Sequence, residues 1–199
     1  MNERPQHAPQ PEIGADETLP DLLRPGLDIV FVGINPSVYS VERGHYFARR
    51  TNRFWPCFSR SVLSAAARAA LGVAQLAPEH DSAVLDHGFG FTDVVKRATA
   101  NVRGLAPGEL AAAVPLLVAK MERYQPRIAC FHGVTGYERV HETLPGAPPT
   151  RPSLGKQAAQ LGRTRIFLVP NPSPANAHFT PADQTGWYDA LARYLGEIG

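Results

Sequence analysis

Three short runs of apolar, β-favouring residues constrain this chain most. They are Ile29-Val30-Phe31-Val32, Arg127-Ile128-Ala129-Cys130-Phe131 and Arg165-Ile166-Phe167-Leu168-Val169. A strand with one wet face alternates apolar and polar residues. These runs do not, so each reads as a strand covered on both faces, as in a parallel sheet. Helical patterns lie between them. Phe54 to Leu71 is Ala-rich and follows Asn52-Arg53. Pro107 to Tyr124 opens with a proline suited to a first helical position. Thr180-Pro181-Ala182-Asp183 reads as an N-cap with an acid three residues on, and Trp187, Leu191, Tyr194 and Ile198 then recur at core spacing. Strand and helix in alternation imply an α/β fold, a three-layer α/β/α sandwich around a short, mainly parallel central sheet.

A chain of 199 residues, 44% of them apolar, is enough for one domain with a sizeable core. That domain is expected to span 27–199. Residues 1–26 carry Pro5, Pro9, Pro11, Pro20 and Pro25 among polar residues and read as a flexible tail, with too little apolar surface to offset chain entropy. Cys57 and Cys130 lie far apart within apolar runs, which implies buried thiols and a reducing compartment rather than a disulfide or a zinc site. No run suits a membrane span and no apolar leader opens the chain, so a cytoplasmic protein is expected. The formal net charge is only +2. A polyanionic partner must therefore be met by a local patch of Lys and Arg.

Ligands of parallel α/β sheets bind beyond the carboxyl ends of the strands. Two of those ends carry the same tripeptide: Gly33-Ile34-Asn35-Pro36-Ser37 after the first run and Pro170-Asn171-Pro172-Ser173-Pro174 after the third. A single Asn-Pro is an ordinary turn. Two copies on one edge of a sheet would present two amides from rigid backbone, each with a donor and an acceptor to read a base edge or hold a water. The segment Gly44-His45-Tyr46-Phe47-Ala48-Arg49-Arg50-Thr51-Asn52-Arg53-Phe54-Trp55 interleaves aromatic and basic residues, a composition suited to stacking a base on Phe47 and meeting phosphates with Arg49, Arg50 and Arg53. In Gly88-Phe89-Gly90-Phe91-Thr92-Asp93-Val94-Val95-Lys96-Arg97, Asp93 stands in apolar company. It is either a desolvated base or a cap on the segment that follows. Lys96 and Arg97 either face phosphate or form a solvated surface.

Gly33-Ile34-Asn35-Pro36, Asn52-Arg53-Phe54-Trp55, Tyr124-Gln125-Pro126, Gly155-Lys156-Gln157 and Asn171-Pro172-Ser173 occur in the order of the mismatch-specific uracil-DNA glycosylases. The chain from about Leu27 onward resembles that family, relatives of thymine-DNA glycosylase within the uracil-DNA glycosylase superfamily. The resemblance implies a monomeric enzyme with no cofactor and no metal. Its partner would be double-stranded DNA holding uracil or a mismatched pyrimidine, with single-stranded DNA as a further candidate. It implies that Asn35 positions the attacking water and that Phe47 stacks on the flipped base beside Ile34, Ser40 and Asn171. Ser37, Arg49, Arg50, Lys96 and Lys156 are the expected DNA contacts, together with the second loop through Ser173, Pro174, Ala175 and Asn176. Bacterial members of the family place a bulky apolar wedge and an Arg in that loop. Pro174-Ala175-Asn176-Ala177 has neither, which implies a different hold on the opposite strand.

An amide orients water but is no strong base. Asp93 is therefore the candidate to accept the water's proton or steady the sugar cation. Two other readings share the scaffold: a hydrolase of free nucleosides, which needs no basic rim, and a non-catalytic binder of damaged DNA. A dinucleotide site is disfavoured because Gly33-Ile34-Asn35-Pro36 lacks the glycine fingerprint. His45, His132 and His178 are candidates to approach the pocket, yet none has metal-ligand spacing.

Overall fold

The computed structural model describes residues 18–144, 147 and 150–198. The three apolar runs are β1 (Ile29–Gly33), β3 (Ile128–His132) and β5 (Thr164–Val169). Two further strands complete the sheet: β2 (Phe89–Asp93) and β4 (Gly155–Leu161). The order is β2-β1-β3-β5-β4. All pairs are parallel except β4 with β5, which form an antiparallel edge. The expected mainly parallel sheet is what the chain builds.

The helices are α1 (Val38–Arg43), α2 (Phe54–Arg60), α3 (Ala65–Leu71), α4 (Glu109–Tyr124), α5 (Val134–His141) and α6 (Pro181–Glu197). Successive strand residues point to opposite faces, and the core divides accordingly. Ile29 and Phe31 pack with Phe54, Phe58, Tyr188 and Leu191 from α2 and α6. Val30 and Val32 pack with Leu117, Met121, Tyr137 and Val140 from α4 and α5. Those are the three expected layers. Cys57 and Cys130 are buried free thiols.

Four local expectations change. The helix foreseen over 54–71 breaks at Ser61, whose backbone is extended. The hydroxyls of Ser61 and Ser64 both donate to Phe58 O at 2.7 Å, replacing the helical bonds that would have continued the turn. α4 starts two residues after Pro107, behind Gly108. β2 and β4 were not foreseen as strands. The last part of the expected tail is packed: Leu19 is buried, and Leu22 exchanges two backbone hydrogen bonds of 3.0 Å with Phe91, covering the free edge of β2. Gly90 admits this crossing, since a β-carbon there would lie 2.6 Å from Leu22 O. The remainder of the tail, 1–17, lies outside the described residues. The Thr180–Asp183 cap forms as expected, with Asp183 N donating to Thr180 Oγ1 at 3.1 Å and Thr180 N to Asp183 Oδ2 at 2.8 Å.

Candidate active site

Because β1 and β5 both run parallel to β3, the two Asn-Pro-Ser loops open on one edge of the sheet. Between them lies a cavity of about 750 Å³. Ile34, Asn35, Ser37, Ser40, Phe47, Arg49, Asp93, Asn171, Ser173, Pro174, Ala175 and Asn176 all line it.

The two amides are held in opposite senses. Asn35 Nδ2 lies within hydrogen-bond distance of Thr99 Oγ1 at 2.7 Å, Arg97 O at 3.1 Å and Pro36 O at 3.2 Å. Its carbonyl oxygen accepts nothing from the described residues. Asn171 does the reverse: its Oδ1 accepts from Ser173 N at 2.9 Å, closing a turn, and its Nδ2 is left to donate. One cavity therefore holds a fixed acceptor and a fixed donor.

Phe47 has a left-handed backbone, φ 54°. That conformation costs a bulky residue about 1–3 kcal/mol and persists only where neighbours impose it. The neighbours here are bonds on both sides. Tyr46 N donates to Asp81 Oδ2 at 3.0 Å, Trp55 Nε1 to Tyr46 O at 2.8 Å, and Ala48 N to Ser40 Oγ at 3.4 Å. One face of Phe47 stacks on Phe54, with centroids 4.3 Å apart and planes 18° apart. The ring also meets His132 edge-on, with centroids 5.1 Å apart, and lines the cavity.

Asp93 ends β2, opposite Gly33 on β1. It caps no helix; neither carboxylate oxygen accepts a hydrogen bond from the described residues, and Oδ2 is fully buried. Burial pushes its carboxyl up to about 7; Lys96 and Lys120 pull it down, and Asp21 pushes it back up. Gly33 makes the room, because a β-carbon there would lie 2.2 Å from Asp93 Oδ1. Gly33→Ala is expected to cost about 1–3 kcal/mol of stability through overpacking, read as a lowered melting temperature.

His132, one of the three histidines read as approaching the pocket, lines the cavity at the end of β3. Burial lowers it to about 3, so the ring is neutral, and Nε2 lies 3.1 Å from Tyr188 Oη. Thr99, Asn101, Val102 and Arg103, none of them foreseen, also line the cavity and add an exposed apolar side chain and a cation.

Other expected contacts lie elsewhere. Arg50 borders a smaller neighbouring depression with Tyr39 and Arg49. Lys156 is on the edge strand β4, away from the cavity. Lys96 is turned to Asp21, 2.8 Å away, instead of to the rim. Arg97 pairs with Glu109 through two bonds of 2.9 and 2.7 Å. His45 pairs with Asp81, and His178 packs on Phe179; neither lines the cavity. Arg53, read as a phosphate contact, points inward and donates to the carbonyls of Ser173 at 2.8 Å, Asn176 and Phe179. Among the described residues no group of three or more His, Cys, Asp or Glu could hold a metal, and no helix is long and apolar enough to cross a membrane.

A solution NMR structure from Methanosarcina acetivorans, of a protein provisionally named a uracil DNA glycosylase, has the same fold. The TM-score is 0.55 at 20% sequence identity, over 90% of this chain and 98% of that one. The profile of the Uracil DNA glycosylase superfamily matches residues 20–192, a span that takes in both Asn-Pro-Ser loops, Phe47 and Asp93. With nearly the whole folded body inside that match, the chain belongs to the uracil DNA glycosylase superfamily.

Proposed function

We propose that this protein excises uracil, or a related pyrimidine, from mismatched duplex DNA, chiefly opposite guanine, as a monofunctional and monomeric glycosylase. The observation that carries this reading is the pair of oppositely anchored amides facing one cavity with Phe47 and Asp93. A pyrimidine needs a stacking surface and a donor for a carbonyl oxygen; hydrolysis needs an acceptor for water and a base. Phe47, Asn171 Nδ2, Asn35 Oδ1 and Asp93 meet those four needs in turn.

Flipping costs least where the pair is already weak, which favours mismatched uracil. In the pocket the bond from C1′ to the pyrimidine N1 breaks and its electron pair leaves with the base, whose charge spreads to its carbonyl oxygens. Asn171 Nδ2 donates to one of them. Water held by Asn35 Oδ1 bonds to C1′ and gives its proton to Asp93, which returns it to solvent. The products are a free base and an abasic sugar. No lysine lines the cavity among the described residues, so hydrolysis is favoured over an amine-based strand cleavage. Arg49 and Arg103 at the mouth, with Arg50 beyond, suit phosphates.

The test is base release under single-turnover conditions from duplexes with uracil opposite guanine, uracil opposite adenine and thymine opposite guanine. Single-stranded uracil DNA and free deoxyuridine are run beside them. Release is expected to be fastest from uracil opposite guanine and to fall about 100-fold or more in Asn35→Ala. Equal rates on free deoxyuridine would assign a nucleoside hydrolase. Tight binding with no release by any substrate would leave a damage-binding protein.

A further inference from the structure

The segment Thr18–Leu22 does more than cover an edge. Leu19 lines the cavity, Tyr46 Oη donates to Pro20 O at 3.1 Å, and Thr18 Oγ1 donates to Lys96 O. Between these anchors Asp21 is held against two ammonium groups: Oδ1 lies 2.8 Å from Lys96 Nζ and Oδ2 lies 2.6 Å from Lys120 Nζ. Oδ1 also accepts from Thr92 Oγ1 at 2.7 Å, on the residue next to Asp93. Lys96 Nζ further donates to Tyr46 Oη at 3.2 Å. Neither lysine bonds to Asp93.

We propose that Asp21 is a positioning residue that keeps Asp93 usable as a base, by holding Lys96 and Lys120 in ion pairs of its own. This rests on the reading of Asp93 as the base. Without the Asp21 carboxylate, two cations near a buried acid would turn to it, pair with it and weaken it as a proton acceptor.

The charges around Asp93 come from several elements. Asp21 comes from the N-terminal segment, Lys96 from the turn after β2 and Lys120 from α4. Tyr46, with Asp81 behind it, comes from the loop after α1, and burial keeps that phenol neutral by raising it well above its ordinary value. β1 contributes only Gly33, and His132 across the cavity is neutral. Burial works against the charge of Asp21, but hydrogen bonds from Lys120 and Lys96 outweigh it. Asp21 therefore stays ionised below the usual carboxylate range.

The experiment is the pH dependence of single-turnover base release from uracil opposite guanine, from pH 5 to 9. The full chain is compared with Asp21→Asn, Asp21→Glu, Lys120→Gln and Asp93→Asn, each checked for folding by circular dichroism. In the parent, activity falls on the acid side as Asp93 takes up a proton. Asp21→Asn is expected to move the midpoint of that limb down by about one pH unit or more, and Lys120→Gln to move it up. Asp21→Glu should restore the parent midpoint. A merely structural segment would change the amplitude and leave the midpoint in place. Unmoved midpoints in Asp21→Asn and Lys120→Gln, with Asp93→Asn inactive, would overturn the role of Asp21 and leave Asp93 as the base. Full activity in Asp93→Asn would remove the base itself. Should Asp21→Asn fail to fold, Lys120→Gln decides by the direction of its shift.

Discussion

Asp93→Asn is expected to slow single-turnover base release by about 100-fold or more while DNA affinity is retained. The substitution keeps shape and removes only the group proposed to take the water's proton. The same variant should be more stable than the parent at neutral pH. In the unfolded chain Asp93 ionises near its ordinary 3.8; in the fold, burial delays this to about 7. Its contribution to stability is therefore fullest below about pH 4 and is lost as pH rises towards 7. Over that window the penalty grows to at most on the order of 4 kcal/mol. Asp93→Asn should thus melt higher than the parent at pH 8, with the difference vanishing at pH 4. Thermal melts at the two pH values check the sign. A parent equally stable relative to the variant at both would mean that Asp93 is not strained by burial. A carboxylate kept ionisable at a stability cost is the pattern expected of a functional group.

Arg53→Met is the second large effect. Arg53 N donates to Pro172 O at 3.0 Å, and its guanidinium ties the carbonyls of Ser173, Asn176 and Phe179 to the start of α2. Methionine keeps the apolar stem and leaves three carbonyls without their charged donor. The expected loss is about 3 kcal/mol, a melting temperature lower by roughly 6–12 °C for a chain of this size. Base release should fall as well, because Asn171 sits at the base of the same loop. Asn176 Nδ2 donates to Asn171 O at 3.0 Å, so loosening one residue loosens the other. A variant with normal stability but weakened DNA binding would restore Arg53 as a phosphate contact.

The difference between Arg49 and Arg53 shows where the sequence stops being readable. Both stand in one basic and aromatic segment, four residues apart, and nothing local separates them. Arg49 reaches the cavity mouth and Arg53 the interior, because only Arg53 lies where β5's loop returns over α2. Lys96 misleads in the same way. A lysine after an apolar strand reads as surface or phosphate contact, and the acid that takes it is 75 residues earlier, in a segment whose prolines read as a tail. Leu19, Asp21 and Leu22 are too few apolar and charged residues to register as an element. They are ordered by what they touch. β2 is hidden for a related reason: Gly90 dilutes its apolar character, yet Gly90 is what lets Leu22 cross it. β4 alternates exposed residues with half-buried or buried ones and lies at the sheet edge, so no continuous apolar run marks it.

What the sequence determined by itself is the sheet and the edge that carries the candidate site. Strands covered on both faces must be continuously apolar, and parallel strands put their carboxyl ends on one side. The two Asn-Pro-Ser loops, and Phe47 and Asp93 as candidates, followed from residues alone. What only the tertiary structure decided is how each group is held and charged. Which amide atom is free depends on Thr99 and Ser173. The proton affinity of Asp93 depends on burial and on Asp21, Lys96 and Lys120. Hydrogen bonding and electrostatics act over a few ångströms of space, whatever the separation along the chain, so no local pattern of residues encodes them.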